Sequence, residues 1–253
     1  MSDPGFHISG NPSAQEQEAR GGAIDLFRRC PIPDAELLPN LGLFLNRPAL
    51  TRILFMHELY RRIVDVHGVV MEFGPRWGQN LALFQSFRGM YEPYNHTRKI
   101  IGFDTFEGFP SVGRQDGNHE VIAPGAYGVT EGYEGFLEEL LGIQEKESPL
   151  GHMRKFELVK GDVTRTLPRY LEDNPETVVA LAYFDMDLYE PTLAALTTIR
   201  DRLVKGSVIG LDEVNVARYP GETIAVMEAL GLENVRLRRS PTDSLPSYFV
   251  WGD

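Results

Sequence analysis

Short apolar runs alternate with longer stretches of helical period along most of this chain. Five runs come first: 68–73 (GVVMEF), 99–104 (KIIGFD), 155–160 (KFELVK), 178–185 (VVALAYFD) and 207–212 (SVIGLD). Between them lie segments long enough for helices, such as 80–87 and 193–203. Buried parallel strands read as continuous Val/Ile/Leu runs, so this alternation predicts an α/β fold: a twisted, mostly parallel sheet with helices on both faces. Two later runs, 234–238 and 247–251, are separated only by the loop 239–246, which predicts an antiparallel pair at the carboxyl end. Upstream, Leu50, Ile53, Leu54, Leu59, Ile63, Val64 and Val66 recur every three to four residues, the mark of an amphipathic helix over 49–66.

The same pattern divides the chain. Residues 1–22 carry Gly, Pro, Ser, Asn and charge with no apolar period and read as a flexible tail. Residues 23–67 read as a helical amino-terminal extension, and 68–253 as the main domain. Within that domain a Gly- and Glu-rich stretch, 107–148, interrupts the alternation after the second run, with a helix expected at 133–141. An insertion placed there should hang over the carboxyl ends of the strands as a lid.

Composition narrows the class. In 253 residues, 42% are hydrophobic, which is the globular range and excludes a largely disordered chain. Lys and Arg number 25 against 36 Asp and Glu, a net charge of −11 with no basic stripe. Nucleic-acid binding needs clustered cations to displace counterions from phosphates, so that class is disfavoured. Cys30 stands alone, so neither an internal disulfide nor a cysteine zinc cluster is available. The longest apolar stretch, 178–184, is too short to span a bilayer, and the first residues lack the apolar core of a secretion signal. A cytoplasmic protein without membrane contact is expected.

In an open parallel sheet, ligands bind at the carboxyl ends of the strands, near the point where strand order reverses. Acidic residues end or follow each of the first five runs: Glu72, Asp104, Asp162, Asp185 with Asp187, and Asp212 with Glu213. The first loop holds Gly74 and Gly78, where a ligand can approach the backbone or a tight turn can form, and Asn80, suited to start a helix. Its Gly-x-x-x-Gly spacing is not the dinucleotide fingerprint. Asp104 ends a strand, where a carboxylate can accept both hydroxyls of a ribose or cap a turn. Asp162 can accept from a ligand amine or close an Asx-turn. Asp185 and Asp187 project to one side if the strand persists, and Asp212 and Glu213 face them from the neighbouring strand. Such a set either holds a hard cation such as Mg²⁺ or divides into a helix cap and solvated acids. His57 reads as a packed helix residue, and His119 as a candidate base or a solvated loop residue.

The stretches 102–110 (GFDTFEGFP) and 184–192 (FDMDLYEPT), with their spacing to Leu211-Asp-Glu213, resemble the macrocin O-methyltransferase family, over roughly residues 68–231. The resemblance implies a Rossmann-like class I methyltransferase with seven strands, the last antiparallel. It implies S-adenosylmethionine as cofactor and Mg²⁺, with methylation of a deoxysugar hydroxyl in antibiotic biosynthesis. A rhamnose-type sugar, nucleotide-linked or on a natural-product glycoside, is the implied acceptor. Carried over by position, Glu72 and Gly74 meet the methionine part of the cofactor. Gly78 and Asn80 complete that loop, Asp104 holds the ribose, Thr105 and Phe106 lie near the adenosine, and Asp162 sits by the adenine. Asp185, Asp212 and Glu213 ligate Mg²⁺, with Asp185 also bordering the cofactor, and Asp187 is the general base. Two positions depart from the family: 77–80 reads WGQN where a glycine pair and Ser are usual, and Glu213-Val214 replaces Asp-Tyr. A catechol-type phenolic methyltransferase and a non-catalytic cofactor-binding scaffold are the competing readings. A homo-oligomer is expected, with the amino-terminal helix and the insertion available for pairing.

Overall fold

The structure, a computed structural model, describes residues 13–253. Seven strands form one sheet: β1 (Val69–Phe73), β2 (Ile100–Asp104), β3 (Phe156–Lys160), β4 (Val179–Phe184), β5 (Leu203–Leu211), β6 (Arg238–Arg239) and β7 (Ser247–Val250). Their order is β3-β2-β1-β4-β5-β7-β6, with the first five parallel and β7 antiparallel to both neighbours. All seven runs are strands, although the sixth keeps only two paired residues because a 3₁₀ turn takes Leu232–Asn234. Strand order reverses between β1 and β4, so a crevice is expected beyond their carboxyl ends.

Eight helices accompany the strands among the described residues. They are α1 (Ala14–Arg28), α2 (Asp34–Leu37), α3 (Arg47–Arg61), α4 (Gln79–Tyr91), α5 (Tyr133–Glu147), α6 (Val163–Asp173), α7 (Tyr189–Ile199) and α8 (Pro220–Leu230). Each face of the sheet has its own core. In β4 the side chains of Ala180, Leu181 and Tyr183 join Phe55, Leu59, Phe84 and Leu137, whereas Val179, Ala182 and Phe184 join Leu167, Leu196, Ile199 and Val226. Burial on both faces explains why the run lacks polar alternation.

Three boundaries differ from the sequence expectation. Residues 14–22, read as tail, belong to α1, which Ser13 and Glu16 open with a complete capping box. That cap and the helix formers AQEQEAR outweigh Gly21 and Gly22. Residues 1–12 lie outside the described residues. The chain divides into compact units after Leu50, not after residue 67. The reason is that Phe55, Met56, Leu59 and Tyr60 of α3 are completely buried members of the first core. Thirdly, α5 is part of the helical layer. Leu137 and Leu141 are buried in that core, Gln85 donates to the Leu141 carbonyl at 2.8 Å, and Glu145 pairs with Arg88 at 2.6 Å and Lys155 at 2.7 Å. Only the first part of the 107–148 insertion therefore stands outside the layers.

Candidate active site

Four loops build the site, and backbone conformation marks them. Arg76, Phe106, Asp187 and Asn215, which follow β1, β2, β4 and β5, all take positive φ. Such angles are uncommon for side-chain-bearing residues and gather where a site over-determines its geometry.

On the β1 side, Glu72 is completely buried, and its Oε1 accepts from Asn80 Nδ2 at 2.8 Å while Oε2 has no partner. Burial is the main force lifting its pKa to about 8. The helix opens at Gly78 rather than Asn80, which leaves the Asn80 side chain free to reach back to Glu72. Both loop glycines answer to the chain's own packing. A Cβ on Gly74 would overlap the Asp185 carbonyl, and one on Gly78 would overlap the Leu137 side chain. Asp104 ties two loops together, accepting from the Arg76 N–H and the Phe106 N–H at 2.7 Å each. Thr105 donates to the Gly108 carbonyl at 2.7 Å, and the Phe106 ring is buried in the core. Asp162 caps α6 through Oδ1, accepting from Thr164 N at 2.9 Å and Thr164 Oγ1 at 2.8 Å.

On the β4 side, the strand ends at Phe184, so the pleat does not carry Asp187 to the side of Asp185. A tight turn does so instead, with Leu188 N–H donating to the Met186 carbonyl at 2.6 Å and Asp187 at φ 61°. Asp is among the residues that tolerate this region. Oxygens of Asp185, Asp187 and Glu213 then lie within 4.8 Å of one another. Asp212, expected as a ligand, lies beside this cluster and is paired with a cationic side chain that also reaches Asp185 at 3.4 Å. Arg52 of α3 grips it with Nη1 at 2.6 Å and Nη2 at 3.0 Å, and the Tyr183 hydroxyl donates to the same carboxylate. Gly210 makes this possible, because a Cβ there would lie 2.5 Å from the Tyr183 ring.

The insertion contacts the chain next to this cluster. Asp116 accepts from the Tyr189 N–H at 2.6 Å and thereby caps α7, whose own N-cap Leu188 has no such side chain. Tyr127 and Tyr219 share a hydrogen bond of 2.7 Å, and the Arg76 guanidinium stacks 5.2 Å over the Tyr127 ring. The histidines stay apart: His57 pairs with the Tyr91 hydroxyl at 2.5 Å, and His119 Nδ1 accepts from the Val121 N–H at 3.4 Å.

So many acids in one place hold their protons unusually tightly. Burial lifts Asp187 to about 6, although a hydrogen bond from Glu213 pulls it down. Burial, then the charges of Asp187 and Asp212, raise Glu213 well above its ordinary range. Asp185 is raised by burial and by Asp212, against the pull of Arg52. Its side chain is still 29% exposed, which weakens the first cause and leaves crowding by like charge to carry the direction. Glu213 Oε2 and Glu72 Oε2 are buried without a hydrogen-bond partner. A clustered, proton-retaining oxygen set with orphaned lone pairs is the donor chemistry that Mg²⁺ or another hard cation takes.

Three residues here escaped the sequence reading. Arg52 sits at a polar position of the amphipathic helix, Tyr127 in the insertion, and Glu222 in the first turn of α8. None carries a motif; only the fold brings them to the acids.

A parallel sheet of this order, closed by an antiparallel seventh strand and bearing acids on its β1, β2, β4 and β5 loops, defines a class I Rossmann-like methyltransferase. The chain matches no protein-family profile and no curated protein sequence. Among solved structures it is similar to CalS11, a calicheamicin methyltransferase, at TM-score 0.94 and 46% identity over 100% of both chains. The apo structure of CalS11, a TDP-rhamnose 3′-O-methyltransferase of calicheamicin biosynthesis, matches at 0.86 and 44% over 96% of this chain and 97% of that one. The O-methyltransferase NovP shares the fold at 0.59 and 18% identity over 79% of each chain. The chain belongs to the CalS11 family and is an S-adenosylmethionine-dependent O-methyltransferase.

Proposed function

We propose that this enzyme methylates a hydroxyl of a deoxysugar carried on a nucleoside diphosphate, of the TDP-rhamnose type, in antibiotic biosynthesis. The observation that carries the acceptor class is the 46% identity, over the whole of both chains, with CalS11. The reaction uses a hard divalent cation held by Asp185, Asp187 and Glu213, which fit it through their converging oxygens and the orphaned Glu213 Oε2. When bound, the cation supplies Lewis acidity that makes a sugar hydroxyl easier to deprotonate.

The chain's own residues do the rest. Asp187 accepts the proton of the acceptor hydroxyl, as that oxygen bonds to the methyl carbon and the carbon–sulfur bond breaks. Glu72, Gly74, Gly78 and Asn80 form the surface for the methionine part of the cofactor. Asp104 uses one lone pair of each oxygen on loop N–H groups and offers the others to the ribose hydroxyls. Thr105, Phe106 and Asp162 flank the adenosine side. Arg52 holds Asp212 in place through paired contacts. Residues 107–132 act as the lid that excludes water.

The test is methyl transfer from S-adenosylmethionine to TDP-rhamnose, with a phenolic diol and an unlinked sugar in parallel. Turnover on the sugar nucleotide is expected. Turnover on the phenol alone would overturn the acceptor assignment.

A further inference from the structure

Glu222 is an acidic side chain with no visible employment. It lies in the first turn of α8, where an acid ordinarily faces water and the helix amides. Here it is completely buried, and neither carboxylate oxygen has a hydrogen-bond partner. The Glu213 N–H approaches it without making a full hydrogen bond. Leaving such a group unpaired is costly, so folds keep one where a ligand supplies the missing partner.

The start of α8 is wedged between the two loops that carry the acid cluster. On one side, a Cβ on Gly221 would lie 2.8 Å from the Asp187 carbonyl and 2.6 Å from the Tyr189 nitrogen. On the other, Thr223 Oγ1 accepts from the Asn215 N–H at 2.9 Å and donates to the Glu213 carbonyl at 3.5 Å. Glu222 stands between these two anchors, within electrostatic reach of Asp185, Asp187 and Asp212. Its oxygens are not among the three that converge within 4.8 Å, so it stands behind the ligands rather than with them.

Resting on the cation reading above, we infer that Glu222 is a fourth carboxylate of the cation site, which accepts hydrogen bonds from water carried by the cation. Mg²⁺ and Mn²⁺ keep several waters when bound, and those waters need acceptors inside a closed site. Partners behind the ligands change metal affinity by about 10–100-fold. Glu222 is thus a positioning residue and touches neither methyl donor nor acceptor.

The experiment is titration of the full chain with Mn²⁺, read by the electron paramagnetic resonance of free Mn²⁺, beside calorimetric titration of S-adenosylhomocysteine. Glu222→Gln is expected to weaken Mn²⁺ about 10–100-fold and leave S-adenosylhomocysteine affinity unchanged. Glu222→Asp, which keeps the charge but withdraws it by one methylene, is expected to fall between Gln and the wild type. It serves as the reading where the Gln variant does not fold. Mn²⁺ affinity unchanged in either variant would overturn this inference alone. No Mn²⁺ binding by the wild type would overturn the cation reading and this inference with it.

Discussion

Asp187 shows how much of this site depends on single residues in unusual conformations. Its positive φ turns the chain back after β4 and sets its carboxyl beside Glu213, where burial raises it to about 6. That value belongs to the cation-free site, and a bound cation would lower it, leaving the proposed base ionised at neutral pH. Asp187→Asn keeps shape and hydrogen bonding but cannot accept the proton. It should lower kcat by about 10²–10⁴, and the acid limb of the wild-type rate profile, at or below about pH 6, should vanish with it. Rate measurements across pH 5–9 check both. The acids at this scale were legible, because each ends an apolar run. Their division of labour was not. The alternation of Asp185 and Asp187 suggests a continuing strand, and only the turn at Asp187 shows how they meet. Asp212 reads as a ligand, and nothing in the sequence pairs it with Arg52, which the fold brings to it.

At the level of elements, the parallel strands follow from the apolar runs, since a short apolar run bounded by turns and alternating with helical stretches has few other places to go. The helices that build the site are less transparent. The α3 stripe reads as an appendage but supplies both a core layer and Arg52. The helix in the insertion reads as a lid, yet Leu137 makes it part of the core by filling the space beside Gly78. That contact is open to test. Gly78 has φ +76°, and any Cβ there meets Leu137. Gly78→Ala should therefore destabilise the fold by about 2–5 kcal/mol in urea unfolding, from the left-handed conformation together with overpacking. Adding Leu137→Ala should remove the overpacking part of that penalty, so the two changes should be non-additive.

For the whole molecule, the charge balance matters more than any one pair. The chain carries a net −11, and several of its acids are concentrated at one end of the sheet. Glu72 rises from an ordinary 4.5 to about 8 on folding, and Asp187 from 3.8 to about 6. Groups raised in the folded state contribute stability that is complete below their unfolded values and is lost as pH climbs through the folded ones. In the absence of divalent cation, unfolding free energy should therefore fall between pH 5 and pH 9, by an amount on the order of a few kcal/mol. Denaturant unfolding at those pH values in EDTA checks the direction, and Mg²⁺ should recover part of the loss at pH 9 by occupying the acids. No helix among the described residues is long and apolar enough to cross a membrane.

The central claim is that three carboxylates, Asp185, Asp187 and Glu213, make this a cation-dependent methyltransferase. The most direct measurement is the initial rate of methyl transfer to TDP-rhamnose in enzyme stripped with EDTA, then titrated with Mg²⁺. The account predicts near-complete loss on stripping and saturable recovery with Mg²⁺. Full activity in EDTA, with S-adenosylmethionine still consumed and the sugar still methylated, would contradict it.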